Sequence, residues 1–286
     1  MGYHEAVNYS FIDPSLHDLL SPGAEGLALA NPLSSDLSVM RTTLLAGLVA
    51  SAQRNAARQQ SRVRLFESGR CFLPGSDGLD QVDRVAGLLL GERTPEGWSS
   101  RKDAVDFFDA KGDVEQLLEL TGGAVEVAAF GDAPAALHPG QSARVLLDGS
   151  DVGWVGRLHP EIEQRVELKG AYAFELDAMA VASRIEARYQ AVSKFPSVRR
   201  DLALLVDKAV SAADIEATVR GACGKRLVDF TLFDVYEGEG IDSNEKSLAI
   251  GLTFQDASAT LADGDIGQLT DAALQALRTS VGARQR

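Results

Sequence analysis

Three groupings in this 286-residue chain place charged side chains closely enough to do chemistry. Glu67 and Arg70, three apart in "LFESGRCFLP", could form an acid–base or phosphate-holding pair. Glu175 and Asp177, at i and i+2 in "YAFELD", would point to one side of a strand and offer two carboxylates to a metal. No third ligand accompanies them, so an ion pair or a solvated strand edge is the better-supported reading. The third grouping, Arg199-Arg200-Asp201 in "VSKFPSVRRDLALLVD", is a basic pair leading into an apolar strand pattern, either a nucleic-acid handle or an ordinary charged edge. Arg41, in "VMRTTLL", stands at a helix start, where an arginine is more often a structural partner to a carboxylate than a substrate contact. His138 in "HPGQ" has neither a nucleophile nor an orienting acid placed by the sequence. The glycines of "DGSDVGWVG" are followed by no helix start and do not make a phosphate loop. Histidines 4, 17, 138 and 159 lack ligand spacing, and Cys71 and Cys223 are too isolated for zinc or a disulfide. Cys71 reads as a small buried hydrophobe.

The elements that must position these residues change character along the chain. Up to about residue 190 strands and helices mix. "EAVNYSFI" and "GLALANPL" have strand composition, and Asp13-Pro14 opens a short helix. Leu44, Leu45, Leu48, Val49, Ala52 and Ala56 recur at helical spacing and predict a helix within 42–59. "VRLFESGRCFLP" predicts a strand broken at Gly69, and "RVAGLLLGE" a buried strand. "DFFDAKGDVEQLLEL" predicts a helix, "SARVLLDGSDVGWVGRL" a hairpin about Gly-Ser-Asp, and "AYAFELD" another strand. Hairpins beside segregated helices point to α+β rather than a doubly wound sheet. From 193 onward the order becomes β-α-β-β-α with a brief last strand in "ARQR", the ferredoxin-like split unit. The domains are therefore expected at 1–190 and 193–286.

Composition narrows the classes of function. The chain is 45% hydrophobic and 24% charged, which suits a globular protein with a sizeable core. No apolar run approaches the roughly 18 to 20 residues that span a bilayer, and "MGYHEAVNYS" has no signal-peptide pattern, so a cytoplasmic, membrane-free protein is expected. The net charge of −13 argues against a sequence-independent polyanion binder, and no DNA partner is expected. Residues 193–286 carry 11 basic and 14 acidic residues, so any RNA contact there must be local and geometric.

Two series of segments resemble one family in its own order. "ANPLSSDLSVMRTTLLAGL", "NAARQQSRVRLFESGRCFLP", "LHPGQSARV", "VGRLHPEI" and "YAFELDAMA" resemble the bacterial phenylalanine–tRNA ligase beta-subunit family. "KFPSVRRDLALLVD", "LFDVYEG" and "KSLAIGLTFQ" resemble its C-terminal ferredoxin-fold anticodon-binding domain. The resemblance covers essentially the whole chain but only the C-terminal portion of that subunit. It implies that 1–190 has the fold of a degenerate class II synthetase catalytic module, an antiparallel sheet flanked by helices. It also implies that the chain, non-catalytic by itself, supports ATP-dependent charging of tRNA(Phe). The partners implied are the alpha subunit, in an assembly of two alpha and two beta chains, and tRNA(Phe). ATP and magnesium are implied for the full enzyme, with no cofactor or metal bound by this portion. The residues agree with lost chemistry: Leu73-Pro74 follow Arg70 where phosphate-contacting residues are expected, and "YAFELDAMAVAS" lacks the glycines and arginine of a nucleotide motif. The helix at 42–59 is implied to lie near the subunit interface, with Arg41, Leu44 and Leu48 as candidate contacts.

The candidate RNA contacts lie in the last domain. Leu248, Ile250, Leu252 and Phe254 share one face of "KSLAIGLTF"; Ser247, Ala249, Gly251 and Thr253 share the other, where small residues would permit close approach by bases. Strict alternation in "DFTLFDVYEG" puts Phe230, Leu232, Asp234 and Tyr236 on one side and Thr231, Phe233 and Val235 on the other. Either aromatic set could stack bases, worth about 1–3 kcal/mol each, and Phe233 and Tyr236 are the candidates. Arg199 and Arg200 point to opposite sides, so at most one meets RNA. The competing reading is a protein-interaction or scaffold module that does not bind RNA.

Overall fold

The computed structural model describes residues 1–75, 78–185, 189 and 191–286. The chain divides into two compact units, residues 1–187 and 188–286.

The first unit is built on strands β1 (His4–Glu5), β4 (Arg62–Gly75), β5 (Gly78–Gly91), β6 (Val125–Ala129), β7 (Leu137–Leu147), β8 (Ser150–Leu158) and β9 (Tyr172–Asp177). They form one sheet in the order β1-β4-β5-β9-β8-β7-β6, antiparallel except where β1 runs parallel to β4. Short strands β2 (Phe11–Ile12) and β3 (Val39–Met40) pair separately. Helices α1 (Pro14–Leu20), α2 (Leu45–Ala56), α3 (Phe107–Glu119), α4 (Pro160–Arg165) and α5 (Ala178–Ala182) complete it. Side-chain alternation lets both sheet faces be covered. Val63, Ala86, Leu88 and Ala173 pack with Leu45, Leu48 and Ala52 of α2. Leu89, Val145, Val155 and Phe174 pack with Ala110, Val114 and Leu118 of α3. A reciprocal cap starts α3: Asp106 accepts from the Phe108 and Asp109 N–H groups, and Asp109 accepts from the Asp106 N–H.

Several sequence expectations are corrected here. "EAVNYSFI" splits into β1 and β2, and residues 26–33 contribute only an isolated bridge from Ala28 to Val39. The β7–β8 turn sits at Asp148-Gly149, both at positive φ (51° and 78°), the geometry of a tight hairpin. Gly69 does not break β4. It lies where a Cβ would strike the Arg41 guanidinium, so the missing side chain makes room for that arginine.

The second unit runs β10 (Val198–Asp207), α6 (Ala212–Cys223), β11 (Leu227–Tyr236), β12 (Glu245–Phe254), α7 (Asp263–Val281) and β13 (Arg284–Gln285). The antiparallel sheet order β11-β12-β10-β13 is the ferredoxin-like arrangement, brief last strand included. Leu202, Leu204, Val206, Leu248, Ile250, Leu252 and Phe254 meet Ile215, Val219, Ile266, Ala273 and Leu277 of the two helices in one core. With both helices on one side, the other sheet face is left open.

Candidate nucleic-acid interface

In the first unit every candidate group is already engaged. Arg41, only 3% exposed, pairs with buried Glu67 and donates from Nε to the Arg70 carbonyl at 2.9 Å. The second Glu67 oxygen accepts from Asn8 at 2.7 Å. Glu67 is therefore partnered by Arg41, not by Arg70, which bonds to Asp83 and Gln81 on the exposed β4–β5 hairpin. Glu175 is buried, and one oxygen accepts from the Thr43 hydroxyl at 2.7 Å and the Leu44 N–H at 2.8 Å, at the start of α2. Burial pushes its carboxyl above the ordinary glutamate range, against the pull of those donors. Asp177 caps α5 through the N–H groups of Met179 and Ala180. Both carboxylates cap helices, and among the described residues neither forms an ion pair. Their donor sets do not suit a magnesium or nucleotide site, and among the described residues no three His, Cys, Asp or Glu side chains are grouped to hold a metal.

Leu44 and Leu48 are also corrected: both are fully buried in the unit's own core. With Arg41 buried as well, none of the three candidate interface residues can be a first contact. The opposite face of α2 lines an open groove of about 580 Å³ with Val7, Tyr9, Phe11, Ala46, Gly47 and Ala50 on its walls. Val7 is 89% and Tyr9 65% exposed there.

In the second unit, strand register assembles the open face. Arg199 lies opposite Thr253, Asp201 opposite Gly251, and Ala203 opposite Ala249. On the other edge Asp229 faces Thr253, Thr231 faces Gly251, and Tyr236 faces Ser247. A register shift between Leu232 and Asp234 inserts Phe233 as an extra residue in β11. Strict alternation had separated Phe233 from Tyr236; the bulge resets the phase and brings both onto the open face. The Arg199 guanidinium lies 5.3 Å from the Phe233 ring centre and donates to Asp201 at 2.8 Å. Arg286 lies 5.8 Å from the Tyr236 ring centre and reaches the Ser247 hydroxyl at 3.4 Å. Ser247 and Gly251 are covered by this layer rather than open, and Ala249 and Thr253 are half-buried. Arg200 falls on the helix side, 3.6 Å from Asp263 at the start of α7, which removes it from the candidate face.

Residues 1–178 match the family described as phenylalanyl tRNA synthetase beta chain CLM domain. Residues 193–286 match the ferredoxin-fold anticodon binding domain. The chain belongs to the phenylalanyl-tRNA synthetase beta-chain family. Phenylalanine–tRNA ligase beta subunits from Pseudomonas syringae pv. tomato and Pseudomonas fluorescens are each 47% identical over the whole chain, which covers 36% of either relative. The Vibrio cholerae beta subunit is 42% identical over the whole chain, again 36% of the relative. The chain thus spans about a third of the length of these synthetase beta subunits. No helix among its described residues is long and apolar enough to cross a membrane.

Within this family frame, sequence reasoning grouped Asp201 with Arg199 and Asp234 with Tyr236, and missed Asp229, Arg284 and Arg286 on the open face. The two arginines had a readable signal: at i and i+2 in the brief last strand they must share a side. Asp234 shares the side of Tyr236 by alternation, and the bulge turns both outward together.

Proposed function

We propose that this chain serves the charging of tRNA(Phe) with phenylalanine as part of a cytoplasmic two-subunit ligase that uses ATP and magnesium elsewhere in the assembly. The first unit is a degenerate class II module that packs on the alpha subunit without catalysing, because its carboxylates and arginine are spent on holding the sheet and α2 together. The partner seats on the groove lined by Val7, Tyr9 and Ala50 rather than on Leu44 or Leu48. The second unit, residues 193–286, holds the anticodon on its open face.

The observation that carries the RNA reading is Tyr236: an exposed ring on an open antiparallel sheet, beside Asp234, Ser247 and Arg286. A base stacks on a ring whatever its identity, and carboxylate and hydroxyl oxygens then accept from its amino and imino edges. An acidic face suits this task, with bases turned in and phosphates turned out. The test is Tyr236→Ala in the assembled ligase. The tRNA KM should rise by about one to two orders of magnitude, the scale of one lost stacked base. Amino-acid-dependent pyrophosphate exchange should not change. An anticodon-swapped tRNA should show no further loss with the variant. Unchanged KM for cognate tRNA favours the scaffold reading.

A further inference from the structure

We propose that Phe233 is a second base platform on the open face, held in place by Arg199 acting across the middle strand. The inference rests on the RNA-face reading above and adds to it a residue pair and a mechanism. Its starting point is the β11 bulge: Thr231 faces Gly251 on the open side, alternation carries Phe233, 50% exposed, to that same side, and the bulge turns the following Asp234 and Tyr236 out beside it. Bulges re-aim side chains at a cost in ladder hydrogen bonds, which makes this one informative.

A lone phenylalanine on an edge strand is free to swing among rotamers, and ordering it would weaken any stack it made. Arg199 removes that freedom. It starts on β10, two strands away from Phe233, and its side chain crosses β12 to reach the ring. The crossing is possible only because position 251 has no side chain: a Cβ there would lie 2.5 Å from an Arg199 terminal nitrogen. Asp201, next along the same face of β10, fixes the guanidinium from its Nε side. Asp201, Arg199, Gly251 and Phe233 thus form one layer: carboxylate, guanidinium, gap and ring. Gly251 is a passage for Arg199, not a bare landing for RNA. The ring is backed by a cation and half open to solvent, as a stacking platform requires. Phe233 and Tyr236 lie three residues apart on one strand, roughly 10 Å by the rise of an extended chain. The occupant is a nucleobase adjacent in the RNA to the one at Tyr236. Arg199 is a positioning residue that acts through the ring.

The experiment measures kcat and tRNA KM in the assembled ligase for Phe233→Leu, Phe233→Tyr, Arg199→Ala and the Arg199→Ala/Phe233→Leu pair, with Tyr236→Ala alongside. Phe233→Leu should raise KM about 5- to 100-fold with kcat unchanged, and Phe233→Tyr, which keeps the ring, should stay within about twofold of wild type. Arg199→Ala should raise KM less, and the double variant should be no worse than Phe233→Leu alone, since the arginine has nothing left to hold. If Tyr236→Ala raises KM while Phe233→Leu does not, the second platform is wrong and the RNA face stands. If neither does, the RNA face and the platform fall together. If the arginine and phenylalanine effects multiply, Arg199 contacts RNA directly and the positioning role is refuted.

Discussion

Glu175 shows how one side chain can look catalytic in sequence and prove architectural in space. Its carboxylate accepts from the first free backbone N–H of α2 and from Thr43, so it does from a neighbouring strand what an N-cap residue does from within the helix. Burial raises its pKa above the ordinary glutamate value of about 4.3. The folded chain therefore holds the proton more tightly than the unfolded chain. The stabilisation linked to that proton is complete below the unfolded value and is lost as pH climbs through the raised folded one. Glu175→Gln has no proton to lose, so the wild-type advantage over it should shrink as pH rises from 4 to 7 (urea unfolding of both proteins). An advantage that grows instead would show the carboxylate to be the favoured form. Cys71 belongs to the same neighbourhood: burial, with Glu175 nearby, pushes its thiol up to about 12. At pH 8 it should resist iodoacetamide in the folded protein and react only after denaturation, as mass spectrometry would show.

At the scale of elements, periodicity made some features legible and left others hidden. The apolar spacing of α2 was readable, and so was its burial, but the direction of its second face was not. A stripe of leucines says that a helix has a buried side without saying what covers it. Here the unit's own sheet covers Leu44 and Leu48 completely. Leu48→Ala should accordingly cost about 2–5 kcal/mol of unfolding free energy, the penalty of a core cavity. Tyr9→Asp, on the open groove, should leave the unfolding midpoint near wild type while weakening co-purification with the alpha subunit. The reverse pattern would place the partner elsewhere. The ferredoxin-like order was legible because each element has its own period and punctuation, down to the Ser211 cap and the Gly224 stop of α6. The β11 bulge was not, since one inserted residue leaves composition unchanged and inverts the face of all that follows. That single shift separates the sequence's alternating aromatic sets from the paired rings of the folded face.

For the whole molecule, a net charge of −13 and a role in RNA binding are compatible only if phosphates supply little of the affinity. The charge balance of the open face fits that condition: Arg199 is tied to Asp201 at 2.8 Å and Arg284 to Glu245 at 2.6 Å, while Asp229 and Asp234 form no ion pair among the described residues. Such a face gives few counterions to release, so its contribution to binding should come from stacking and base-edge hydrogen bonds, which salt barely touches. The consequence can be separated from the rest of the enzyme. Across roughly 50–200 mM potassium chloride the overall tRNA affinity should fall, through whatever phosphate contacts the assembly makes. The ratio of wild-type to Tyr236→Ala affinity should meanwhile stay constant within about twofold, because the lost interaction carries no ion exchange. Lys208, just past β10 and paired with Glu237 at 2.7 Å, supplies the contrast. Lys208→Ala should cost little at any salt and flatten the log–log salt slope by no more than about 0.7, the share of one phosphate on a single strand. A Tyr236→Ala ratio that collapses toward one at high salt would mean that the ring acts through a neighbouring cation such as Arg286 on phosphate, and that the face reads backbone rather than bases.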